Sequence, residues 1–272
     1  MKKILFLFFC ALAVLVFAVG SAFAKAPGQR DQQQQKAPIL PRPPVPQPNP
    51  APKPAAPKLH SCTDKCAPRD AAMTHIVCIL DRSGSMSSLT GDTIGGYNSF
   101  IDRQRSEPGD AVVTTVLFDN QYETLLKSVP IKDVKPITTK EYYARGTTAL
   151  LDAVGTTVLS LLGEMDKQGR CPKSMPVIFM IMTDGLENAS REFSRATVKK
   201  LVSDVTEKYG WQFIFLGANI DSAAEAGSIG ISGAHSMNYS ASADGVNEAY
   251  KRAGDAVRMY RKEGAVKEDW KK

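Results

Sequence analysis

His75-Ile76-Val77-Cys78-Ile79-Leu80-Asp81-Arg82-Ser83-Gly84-Ser85-Met86 changes character at Asp81. The apolar run that ends at Leu80 suits a strand buried on both faces of a sheet. The residues after it are turn formers: an acid, then two serines around a glycine. The same break recurs downstream. The apolar stretch 176–182 stops at Thr183-Asp184-Gly185, and the stretch 111–118 stops at Asp119-Asn120, which turns the chain towards a hairpin partner near 122–126. A fourth apolar run covers 211–217, and 235–239 reads as a final edge strand.

Between these strands the apolar residues recur at helical spacing. Ile94, Tyr97 and Ile101 predict a helix over about 92–105, and Leu151, Val154, Val158 and Leu161 predict a second. Ser194 is placed to cap a third helix carrying Val198, Leu201, Val202 and Val205, with Phe193 placed to staple against Val198. A short helix is expected near 221–226. Val246, Tyr250, Ala253, Val257 and Tyr260 mark a closing amphipathic helix. Strands alternating with helices predict an α/β fold: a Rossmann-like, doubly wound, mostly parallel sheet flanked by helices. Ligands of such sheets bind beyond the carboxyl ends of the strands, where Asp81 and Asp184 fall.

The rest of the 272-residue chain is strongly segregated. Lys2 and Lys3, the apolar run from Ile4 and the small residues of Ala22-Phe23-Ala24 have the form of a secretory signal over 1–24. Left uncleaved, residues 4–24 are just long enough to anchor the chain in a membrane. Residues 25–70 read as a Pro-rich linker: 11 of the 17 prolines lie in 26–58, too many to form a core, and they favour an extended spacer. The folded part is expected over 71–262, with a charged tail at 263–272. The net charge of +6 belongs to the ends. Lys2, Lys3, Lys25 and five basic residues in 26–58 set against Asp31 leave the remainder near neutral, which excludes a basic nucleic-acid-binding domain. In an exported chain Cys62, Cys66 and Cys171 are candidates for a disulfide, whereas Cys78, mid-strand, reads as a buried thiol.

Asp81, Ser83 and Ser85 bring one carboxylate and two hydroxyls, at alternate positions on a tight turn, to one centre. Hard oxygens of this kind suit Mg²⁺ or Mn²⁺. Two further segments accompany them: Gly146-Thr147-Thr148-Ala149-Leu150-Leu151-Asp152-Ala153 and Met182-Thr183-Asp184-Gly185. With these three segments, in order over roughly 75–260, the chain resembles the von Willebrand factor A family and its metal-ion-dependent adhesion site. It is most similar to a bacterial branch carrying the stretches found here at 184–190 and 210–219. The resemblance implies metal ligands at Asp81, Ser83 and Ser85 of the first loop, Thr148 of the second and Asp184 of the third. It also implies a carboxylate of a bound protein partner that completes the metal's shell. Thr147 stands where many members have a glycine, and the Ala-Leu-x-Asp-Ala that follows favours Thr148 over it. Outside this set, Glu187 reads as a solvated loop acid, Asp119 as a turn residue and Asp152 as a helix-capping or packing acid.

The leading reading is therefore a non-enzymatic binding module, exported to the periplasm or cell exterior, that takes an acidic side chain through a divalent ion. A metal-dependent hydrolase on the same fold needs a nucleophile and a base. The three histidines, His60, His75 and His235, lie outside the metal loops. An accessory subunit of an ATPase complex is the other alternative, and export argues against it. Cleavage after Ala24 predicts a mature chain that begins at Lys25. N-terminal sequencing of the native protein tests this, and an intact Met1 on cytoplasmic protein would contradict it.

Overall fold

The computed structural model describes residues 73–271. The signal segment and the whole Pro-rich linker, with Cys62 and Cys66, lie outside the described residues. Among the described residues six strands and five α-helices follow in order: β1 (Met73–Asp81), α1 (Thr90–Ser106), β2 (Asp110–Phe118), β3 (Tyr122–Pro130), α2 (Leu150–Lys167), β4 (Val177–Thr183), α3 (Arg195–Tyr209), β5 (Gln212–Ala218), α4 (Ser222–Ser228), β6 (Ser236–Tyr239) and α5 (Ala243–Glu263). They form one sheet in the order β3-β2-β1-β4-β5-β6. Only the β2–β3 hairpin is antiparallel.

The interior strands are apolar because both faces are covered. Successive residues of a strand point to opposite faces. Ile76, Cys78 and Leu80 accordingly join a core with Tyr97 and Phe100 of α1 and with Tyr250 and Val257 of α5. Val77 and Ile79 join a second core with Val154 and Val158 of α2 and Val198 and Val202 of α3. Helices α1 and α5 pack closely: the Tyr250 ring fills the space a Cβ at Gly96 would need, its nearest atom 2.2 Å away. Helix α3 begins as its sequence suggests. Ser194 Oγ accepts the Thr197 N–H at 3.2 Å, and Phe193 and Val198 are buried in the same cluster.

Past Glu263 the charges of 263–272 conceal two anchors. Val266 and Trp270 are buried in the α1–α5 core, and Trp270 Nε1 donates to Ala234 O at 3.0 Å. The folded unit therefore extends beyond the expected boundary at 262. The hairpin strand β3 likewise runs further than expected, to Pro130. Cys78 is a buried free thiol, and Cys171 is disulfide-bonded.

His75 lies buried near the start of β1, its Nε2 2.8 Å from Thr114 Oγ1. Burial lowers its pKa from 6.5 to about 4. Between these values the unfolded chain binds the proton and the folded chain does not, so this contribution to stability is complete above pH 6.5 and is lost as the pH falls to 4. Other groups titrate in the same window, so the test is a difference. Relative to His75→Gln, wild type should lose about 3 kcal/mol of unfolding free energy between pH 6.5 and pH 4 in urea titrations. A gap that does not change with pH would contradict this.

Candidate metal centre

Strands β1 and β4 are parallel neighbours with Leu80 paired to Met182, which sets Asp81 beside Thr183. Asp81 Oδ2 accepts the Thr183 hydroxyl at 2.6 Å, and Oδ1 accepts the Ser83 N–H at 2.7 Å. Ser83 Oγ and Ser85 Oγ lie 3.1 Å apart, and Ser85 Oγ donates to Asp184 Oδ1 at 2.6 Å. One run of oxygens thus crosses from the end of β1 to the end of β4. Ser83 precedes a 3₁₀ turn, Gly84–Leu89, yet makes no capping bond to it. Asp81, Ser83 and Asp184 are buried, whereas Gly84 and Ser85 are exposed, so the cluster opens to solvent at its serine end.

The second loop is laced to the first by its backbone. Gly84 N–H donates to Gly146 O at 3.1 Å, and Arg145 N–H donates to Arg82 O at 2.7 Å. Thr148 is buried and Thr147 is exposed. The Thr148 N–H donates to Asn188 Oδ1 at 2.9 Å, and its carbonyl accepts the N–H groups of Asn188 and Ala189. A Cβ at Gly185 would stand 3.3 Å from Thr148 Oγ1 and 3.8 Å from Ser85 Oγ. Glycine there leaves room where hydroxyls of two loops meet the third. All five residues singled out in the sequence, Asp81, Ser83, Ser85, Thr148 and Asp184, therefore gather at one end of the sheet.

These donors fit a hard divalent cation. Burial pushes Asp81 up to about 6, against the bonds from Thr183 and Ser83, and the charge of nearby Asp184 pushes the same way. Burial also raises Asp184. Two carboxylates that disfavour their own charge are an environment a cation would relieve. Among the described residues no three His, Cys, Asp or Glu side chains cluster as a metal site. The remaining donors here are hydroxyls, which suit Mg²⁺ or Mn²⁺ rather than a softer ion.

No family model and no curated protein matches the sequence. Solved structures match the fold. The pilus adhesin SpaC from Lactobacillus rhamnosus GG, in its open conformation, superposes with TM-score 0.50 at 12% identity, over 71% of this chain and 31% of that one. VWA2, the ArnB paralog from Sulfolobus acidocaldarius, gives 0.45 at 18% identity over 67% and 44%. Manganese-loaded TRAP from Plasmodium vivax gives 0.49 at 16% over 66% and 72%. The chain spans less than half the length of the first two. The fold is that of a von Willebrand factor A domain.

Two acids in this domain, Asp119 and Glu187, do more than their sequence suggests, and Asp152 packs the loop beside them. Asp119 is a fully buried brace, not a simple turn residue. Its Oδ2 accepts Arg82 Nε at 3.0 Å and Arg145 Nε at 2.7 Å, its Oδ1 accepts the Gln121 N–H, and its carbonyl accepts the Ala149 N–H. Arg82, wholly buried, also places Nη1 2.7 Å from Glu123 Oε2, an ion-pair contact without hydrogen-bond alignment. Glu187 is tied down rather than solvated. It accepts the Leu151 N–H at 2.9 Å and the N–H groups of Ala189 and Ser190. The Asp152 N–H donates to Ser190 Oγ, while the Asp152 carboxylate accepts the N–H groups of Arg191, Glu192 and Phe193. Helix α2, preceded by an Ala149 that cannot cap it, is thus capped by the loop after β4. An arginine directly after a strand buried on both faces was the one available signal for Asp119, since such a charge needs a partner.

Asp119→Ala strands the buried Arg82 guanidinium. Breaking a buried pair from one side costs about 3–5 kcal/mol, so the variant should show a large fall in urea midpoint. A loss below about 1 kcal/mol would show that the brace is not structural.

Proposed function

We propose that the domain is a non-enzymatic binding module that holds Mg²⁺ or Mn²⁺ through Asp81, Ser83, Ser85, Thr148 and Asp184, and through the ion takes a carboxylate of a protein partner. The observation that carries this reading is the Ser85–Asp184 bond, which joins two strand-end loops into one oxygen cluster open to solvent. When bound, the ion supplies electrostatic attraction for an incoming anion. Two carboxylates neutralise a divalent charge and the hydroxyls add none, so the site keeps affinity for an external carboxylate. The described histidines support a non-catalytic role. His75 lies six residues down β1 from Asp81, about 20 Å away, and His235 Nε2 is 3.3 Å from Val266 O. We place the module outside the cytoplasm, held on its Pro-rich spacer.

Millimolar Mg²⁺ or Mn²⁺ should raise the Tm of wild type, because an ion bound only by the folded state stabilises it by about 2.7 kcal/mol at one hundred times its Kd. Asp81→Ala should abolish the shift and leave the sheet intact. Ser83→Ala and Ser85→Ala should weaken it. Calorimetric titration with both ions decides the matter: equal binding by wild type and Asp81→Ala, or no binding by either, would overturn the reading.

A further inference from the structure

Among the described residues only two large apolar side chains are exposed, Tyr143 at 42% and Leu186 at 56%, and each lies next in the chain to a residue that touches the metal-site loops. Tyr143 follows Tyr142, whose hydroxyl donates to the Asp81 carbonyl at 2.5 Å. Leu186 follows Asp184 and Gly185 directly. Isolated surface apolar residues are ordinary. Here both exposed residues belong to segments that meet the first metal loop, Tyr143 through Tyr142 and Leu186 through Gly185.

Neither side chain is free to fold away. The Tyr143 ring packs near two guanidinium groups, those of Arg82 at 5.7 Å and Arg145 at 5.3 Å from its centroid, and its hydroxyl accepts Arg145 Nη1 at 3.2 Å. Leu186 sits between two fastened neighbours. The Gly185 N–H donates to Thr183 Oγ1 at 3.2 Å, and Glu187 is tied to the start of α2. The loops present an aromatic ring and an aliphatic side chain in fixed positions beside the carboxylate-binding centre. Rigid aromatic and apolar anchors beside a desolvated polar contact are the usual composition of a binding hot spot.

We infer that the partner is a polypeptide segment whose acidic residue is flanked by apolar side chains that rest on Tyr143 and Leu186. This inference rests on the metal–carboxylate reading above and adds what selects among carboxylates. An inorganic anion, a phosphate backbone or a purely acidic tract presents charge to the ion but nothing to either anchor.

The test is a synthetic peptide array with a central Asp or Glu and systematically varied flanking positions. It is probed with the full chain in Mg²⁺ and again in chelator. The metal-dependent signal should concentrate on peptides with Leu, Ile, Val, Met or Phe beside the acid. Leu186→Ser and Tyr143→Ser should each weaken the best peptide about tenfold, with the Mg²⁺ titration unchanged. Leu186→Ser, at an exposed position, should also leave Tm unchanged, which separates binding from folding. Metal-dependent binding without a flanking preference, or wild-type affinity in Leu186→Ser, would overturn the inference and leave the metal–carboxylate reading standing. If no acidic peptide binds in a metal-dependent way, both fall.

Discussion

The parallel pairing of β1 with β4 is the constraint on which the centre depends. From β1 the chain winds outwards to β2 and β3, then crosses through α2 to β4 on the other side of β1. This reversal leaves a crevice at the carboxyl ends of β1 and β4, the place where doubly wound sheets bind ligands. Because the strands run in the same direction, each delivers its terminal acid to that edge, Asp81 from one and Asp184 from the other. An antiparallel neighbour in place of β4 would have carried its terminal acid to the far edge of the sheet. The hydrogen bond from Thr183 to Asp81 is the local expression of this register.

Juxtaposition alone would not hold three loops in place, and two polar networks, one buried and one half-buried, supply the rest. Asp119 follows Phe118, the β2 partner of Asp81, so it lies beside Arg82 by register and draws Arg145 from the second loop. Glu187 and Asp152 join the third loop to the start of α2. Asp119 and Arg82 would be costly to bury alone, and each carboxylate of the two networks accepts from another segment of the chain. The loops are therefore mutually dependent.

What could be read in the sequence follows from this division. The strand β1 and the acid that ends it are local: five apolar residues in a row and an abrupt switch to Asp-x-Ser-Gly-Ser. The preference for Thr148 over Thr147 came from the residues after it, and the structure places Thr148 inside and Thr147 outside. Asp119, Glu187 and the tail that carries Trp270 escape a reading of the sequence for one common reason. Each looks like a surface residue among its neighbours in sequence, and each is buried or bonded by a segment at least 20 residues away. Turn chemistry and charge are properties of a few consecutive residues, whereas the partners of a carboxylate are set by topology.

The capping of α2 has a further consequence for the centre. The first turn of a helix has N–H groups without partners, and a loop that satisfies them is fixed in return. Here the loop that does so also carries Asp184, Leu186 and the Asn188 that receives the Thr148 N–H. The second and third loops are thus held as one unit by the same bonds that begin α2. A site assembled in this way has little ordering left to do when a ligand arrives, so more of the interaction energy appears as affinity. The same bonds flank the exposed Leu186, Gly185 N–H donating to Thr183 Oγ1 at the end of β4 and Glu187 accepting from the start of α2.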